Sequence, residues 1–82
     1  MSDINITPDE VVDLKGLNCP MPVLKTKKAL DKVGGGKILQ VDITDAGSKS
    51  DLPAMIKRTG NELLEMNEAG GVYSFYIKKK EG

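Results

Sequence analysis

The chain has no histidine and only one cysteine, Cys19, among its 82 residues. These two shortages remove whole classes of chemistry. One thiol cannot close an internal disulfide, so the core alone must hold the fold. Zinc sites of cysteine and histidine are excluded, as is a Cys-His nucleophilic dyad, and no metal or other cofactor is expected. Neither sign of charge is in excess, since Lys+Arg and Asp+Glu both number 12. That balance, with one Phe, two Tyr and no Trp, argues against nucleic acid as a direct partner. No apolar run is long enough for a signal peptide or a membrane span, so no membrane partner is expected. With an unpaired thiol added, the expected compartment is a reducing cytoplasm.

What is present centres on Asn18-Cys19-Pro20-Met21-Pro22. Proline is favoured at the first helical position, where the N–H it lacks would have had no partner. Pro20 therefore reads as the first residue of a helix and Cys19 as its N-cap, with the sulfur at the positive end of the dipole. A thiolate there is stabilised, which predicts a thiol more acidic than a free one. Pro20 and Pro22 remove two of the four free N–H groups at the helix start, leaving those of Cys19 and Met21 to face the sulfur. The expected shift is modest. The alternative reading of a free cysteine is a small buried apolar residue, a poor match for an N-cap flanked by prolines.

The length suits one small domain. Residues 1–9 are polar, contain Pro8, and are expected to form a flexible arm before a domain over 10–80. Glu10 to Lys15 reads as a strand with Val12 and Leu14 on one face. Pro20 to Val33 reads as a helix with Val23, Thr26, Leu30 and Val33 on its inner stripe. Gly34-Gly35-Gly36 stops it. Lys37 to Ile43 alternates again, with Leu39, Val41 and Ile43 on one face. A second helix is expected to start from Ser48 or Ser50 and to end near Thr59; Pro53 favours Ser50, because proline is tolerated only in a first turn. Glu62 to Asn67 and Val72 to Lys78 form a hairpin around Glu68-Ala69-Gly70-Gly71. Tyr73, Phe75 and Ile77 share the core face of the last strand.

The order β-α-β-α-β-β implies a right-handed crossover between parallel first and second strands, followed by an antiparallel pair. The expected fold is α/β: a two-layer sandwich, a four-stranded mixed sheet with both helices on one face and the other face largely wet. Parallel strands bring the turn holding Cys19 and the turn holding Asp45 to the same sheet edge, where open α/β sheets bind ligands. Asp45 would raise the thiol pKa slightly there, or orient a backbone amide or a partner's basic residue. Met21 beside the thiol reads as an exposed apolar contact for a partner. Lys25, Lys28 and Lys32 recur at three- and four-residue spacing on one stripe running away from Cys19, and read either as a solvated face or as a docking surface for a partner.

Asp13 to Lys28, DLKGLNCPMPVLKTKK, resembles the signature of the TusA/SirA family of small sulfur carriers, and VDITDAGSKSDLPAMIKRTGNELLE and YSFYIKKK fit the same family. The resemblance implies a sandwich similar to the C-terminal domain of translation initiation factor 3. It also implies a cysteine that accepts sulfane sulfur as a persulfide and hands it on. Carried over by position, the persulfide site is Cys19, shaped by Pro20, Pro22 and Met21, with Asp45 where the family typically has aspartate. The implied partners are a cysteine desulfurase or rhodanese-type donor and a downstream acceptor of the DsrE-like or TusBCD-like kind. The family's branches serve tRNA thiolation, molybdenum cofactor assembly, sulfur oxidation or selenium metabolism. Such a carrier is a sulfurtransferase in the sense that it is modified and restored each cycle. Two other classes compete with it: a non-catalytic regulatory or nucleic-acid-binding module, and a thiol redox sensor, which with no resolving cysteine would need an external thiol.

Overall fold

Period-two alternation builds the sheet and helical spacing builds its cover. In the computed structural model, which describes residues 7–81, the elements are β1 (Glu10–Asp13), α1 (Met21–Lys32), β2 (Ile38–Ile43), α2 (Ala46–Arg58), β3 (Glu62–Ala69) and β4 (Val72–Lys78). The order β-α-β-α-β-β is the expected one. Residues 1–6 of the expected arm lie outside the described residues. Asp9 is already fastened to the sheet: its N–H donates to the Ile38 carbonyl at 2.8 Å and its carboxylate accepts the Ile38 N–H at 2.9 Å.

The four strands lie in the order β1-β2-β4-β3. β1 and β2 are parallel, while β4 runs antiparallel to both β2 and β3. On the inner face Leu39, Val41, Ile43, Phe75 and Ile77 are all fully buried, and Leu30, Leu52, Met55 and Ile56 of the helices join them in one core cluster. The register sets Gln40 opposite Tyr76 and Asp42 opposite Ser74 on the other face. On β2 and β4 that face is half-buried, because neighbouring side chains cover one another: Asp42 accepts from Ser74 Oγ at 2.7 Å and from Gln40 Nε2 at 3.1 Å. On the edge strands Val11, Asp13, Glu65 and Asn67 are exposed and the face is wet, as expected. The hairpin is tighter than expected. β3 continues through Glu68 and Ala69, and only Gly70 and Gly71 turn, both at positive φ (58° and 83°), the geometry that suits a two-residue loop. No described helix is long and apolar enough to cross a membrane.

Two helix starts differ from expectation. α1 begins at Met21, with Pro20 rather than Cys19 at its N-cap. Pro22 is fully buried, so its ring fills the core as well as starting the helix. α2 begins at Ala46, capped by Asp45 and not by Ser48 or Ser50, and Pro53 sits inside it. The carboxylate cap and the burial of Ser48, Leu52, Met55 and Ile56 outweigh the single backbone bond the proline forfeits.

Thr26 occupies the inner stripe of α1 and is fully buried, yet its hydroxyl has no hydrogen-bond partner. A buried donor without an acceptor costs free energy that a methyl of the same shape does not. Thr26→Val is therefore expected to stabilise the domain by about 1 kcal/mol. Urea unfolding would show it as a higher midpoint with an unchanged slope.

Candidate functional site

The turns after the two parallel strands are sewn together. Gly16 N–H donates to Thr44 Oγ1 at 2.9 Å, and Cys19 N–H donates to Asp45 Oδ2 at 3.2 Å. Asp45 Oδ2 also accepts the Ser48 N–H at 2.9 Å and the Ser48 hydroxyl at 2.8 Å. One carboxylate oxygen thus caps α2 and fixes the cysteine turn to it. Gly47 leaves room for this joint, since a Cβ there would stand 3.3 Å from Asp45 Oδ2 and 3.9 Å from the Cys19 Cβ. The carboxylate is held below the usual aspartate range, first by the Ser48 hydroxyl, then by the Ser48 N–H, with a smaller contribution from the Cys19 N–H and against the cost of its partial burial.

Cys19 is exposed and free. Its surroundings overturn the expected acidification. The N–H of Cys19 is taken by Asp45 and that of Met21 by the Asn18 carbonyl at 2.9 Å, so neither faces the sulfur. Cys19 lies one residue outside the α1 cap, and the positive end of α2 beside it is already filled by the Asp45 carboxylate. In addition, the Cys19 thiol donates to Asp51 Oδ2 at 3.6 Å. The thiol pKa is pushed up, first by the turn and helix that shield part of the sulfur from water, then by the hydrogen bond to Asp51, then by the charges of Asp51 and Asp45. Only the Ser48 hydroxyl favours the thiolate.

Asp51, and Ser48 as anything but a candidate helix cap, are site residues that the sequence reading misses. Their signal is their spacing: Asp45, Ser48 and Asp51 recur every third residue, which stacks them along one side of a helix capped by Asp45. With the helix started at Ser50 that stripe does not exist.

The other residues singled out in the sequence lie on α1 or at its start. Pro20 is exposed next to the thiol, and Met21 is 42% exposed, with Leu24 one turn on at 50%, so an apolar patch adjoins the sulfur. Lys25, Lys28 and Lys32 are exposed and line an open groove of about 700 Å³, together with Asp9, Glu10, Val12 and Leu14. At about 1.5 Å per residue, Lys32 stands roughly 16 Å further along the helix axis than Met21.

Fold and site together define a small thiol-presenting α/β domain, with one accessible thiol on a turn fixed at the carboxyl edge of the sheet. The family model described as Sulfurtransferase TusA matches residues 10–79. The chain belongs to this TusA family of sulfur carrier proteins. It is 49% identical over 71 residues to the sulfur carrier protein TusA of Allochromatium vinosum, covering 87% of this chain and 93% of the relative. It is 37% identical over 76 residues to that of Pseudomonas putida strain W619, covering 93% and 95%. The crystal structure of a SirA-like protein from Desulfitobacterium hafniense shares the fold, with a TM-score of 0.76 at 28% identity over 88% of this chain and 99% of that one.

Proposed function

We propose that this chain carries sulfane sulfur as a persulfide on Cys19 and relays it between two proteins. The observation that carries this reading is the exposed, free thiol of Cys19, held on a turn fastened by Asp45. The Cys19 thiolate attacks the outer sulfur of a donor persulfide. The S–S bond of the donor breaks, its cysteine leaves with the electron pair, and Cys19-S-SH results. An acceptor thiolate then attacks the outer sulfur of Cys19-S-SH and Cys19 leaves in turn. Each step exchanges one S–S bond for another, so no oxidant, reductant or cofactor is consumed.

The donor is of the cysteine desulfurase or rhodanese type, and the acceptor is a second protein with its own exposed cysteine. Met21 and Leu24 supply apolar contact around the sulfur, while Lys25, Lys28 and Lys32 steer the approach of an acidic surface. Pro20 and Pro22 fix where α1 begins, and Asp45 aims the turn.

Incubation with a cysteine desulfurase and cysteine, followed by intact-mass and peptide mass spectrometry, tests the reading. The expected result is a gain of one sulfur atom, located on the peptide holding Cys19 and removed by a thiol reductant. No gain under conditions where the desulfurase itself is persulfidated would overturn it.

A further inference from the structure

Two carboxylates flank the sulfur, and they are not equivalent. Asp45 Oδ2 is committed to Ser48 and to the Cys19 backbone. Asp51 is exposed in the middle of α2. It accepts a hydrogen bond from the Cys19 thiol at 3.6 Å, and among the described residues no lysine or arginine pairs with it. An unpaired carboxylate beside a nucleophilic sulfur works against the nucleophile, because it favours the form that still carries the proton. The charged and polar groups facing this sulfur are Asp51, Asp45 and the Ser48 hydroxyl, all from α2 and its cap; the adjoining residues of α1 and its cap, Pro20 to Leu24, are uncharged.

We propose that Asp51 gates Cys19: it holds the thiol proton in the free carrier, and the gate opens when a partner sets a cationic side chain against the Asp51 carboxylate. This rests on the sulfur-carrier reading for its purpose, though not for its chemistry. With the Asp51 charge neutralised by a partner's lysine or arginine, the Cys19 thiol gives up its proton more readily in the docked pair than in the free carrier. The S–H proton leaves as the S–S bond to the incoming sulfur forms, and it ends on the donor thiolate that is expelled. The net exchange is Cys19-SH plus donor persulfide giving Cys19-S-SH plus donor thiol, with no change in overall oxidation state. A free carrier gated in this way meets alkylating and oxidising agents as a slow thiol and its partner as a fast one.

The test compares the wild type with Asp51→Asn and Asp51→Glu. Asp51 is exposed, so both substitutions leave the core untouched. The first readout is the rate of alkylation by iodoacetamide, a neutral probe, across pH 6 to 10. Asp51→Asn should raise the rate at neutral pH by about two- to fivefold and move the midpoint of the pH profile downwards, the gain in thiolate being partly offset by its lower nucleophilicity. Asp51→Glu, which keeps the charge, should stay near the wild type. The second readout is sulfur loading from a cysteine desulfurase with cysteine. There Asp51→Asn should bring no acceleration, since the partner's cation has lost its counter-charge.

An unchanged pH profile for Asp51→Asn would overturn the gate, and so would an Asp51→Glu profile that moves with it. Loading that accelerates by the same factor as alkylation would overturn the partner's part in opening it. Failure of the sulfur-carrier reading is a separate result: the alkylation profiles would behave as expected while no variant, nor the wild type, is loaded.

Discussion

Asp45→Ala is expected to loosen α2 and the cysteine turn in one stroke. The carboxylate oxygen it removes accepts from the Ser48 N–H, the Ser48 hydroxyl and the Cys19 N–H. The Cys19 N–H lies near the surface and can turn to water. Ser48 is fully buried, so its hydroxyl has no such recourse. Stranding a buried hydroxyl costs about 1–3 kcal/mol, and each kcal/mol lowers the melting temperature of a domain this small by about 4–8 °C. Loss of the helix cap adds to this in the same direction.

Thermal unfolding would register the first effect and transfer kinetics the second. Once the tether is gone the sulfur samples more directions, so sulfur uptake from a desulfurase should slow by more than the small unfolded fraction accounts for. Asp45→Asn keeps an acceptor oxygen at the same place and should recover most of the stability. The pH dependence has a defined sign. The folded-state pKa of Asp45 is depressed, chiefly by the Ser48 hydroxyl and N–H. Its contribution is therefore fully present above the unfolded value, about 3.9, and is lost as pH falls below that through the folded value. Asp45→Asn should show a flatter loss of stability over that acidic window than the wild type does.

This same joint marks where sequence reading succeeded and where it stopped. Strand alternation is a local signal, and it placed Leu39, Val41 and Ile43, and Phe75 and Ile77, on the face that is in fact fully buried. The turn holding Cys19 was legible because a strand, a turn and two prolines follow one another within a dozen residues. The start of α2 was not, because two rules conflicted there. Pro53 argued locally for a late start at Ser50, whereas the helix begins at Ala46 through a cap whose worth includes a contact to Cys19, 26 residues away in sequence. The electrostatics of the thiol turn on where this helix starts. With α2 begun at Ala46 and capped by Asp45, its positive end is occupied and Asp51 comes round to the sulfur, so the thiol is pushed up where the prolines and the α1 dipole alone predict a fall. Propensity reads along the chain, and the charge environment of a turn is set by what packs across it.

Reversing charge on the α1 stripe should slow docking without disturbing the fold. Lys25, Lys28 and Lys32 are exposed along the groove, and neither of the ion pairs among the described residues involves them, so replacing two of them by glutamate breaks no internal bond. The effect lies in the approach of the partner. At physiological ionic strength a field reaches about 8 Å, so lysines at the rim act during encounter more than in the final complex. For a transfer that needs quick release as well as quick arrival, that is where charge is most useful, since rim charges change the on-rate far more than the residence time. The carrier surface is polarised, with Asp51 and Asp45 at the sulfur and the lysines running away from it. Stopped-flow sulfur transfer with the Lys25→Glu, Lys32→Glu double variant should show the association rate at low salt falling by about tenfold or more, with much of the salt dependence gone and the melting temperature close to that of the wild type. Equal rates for variant and wild type at low ionic strength would assign these lysines to a solvated helix face.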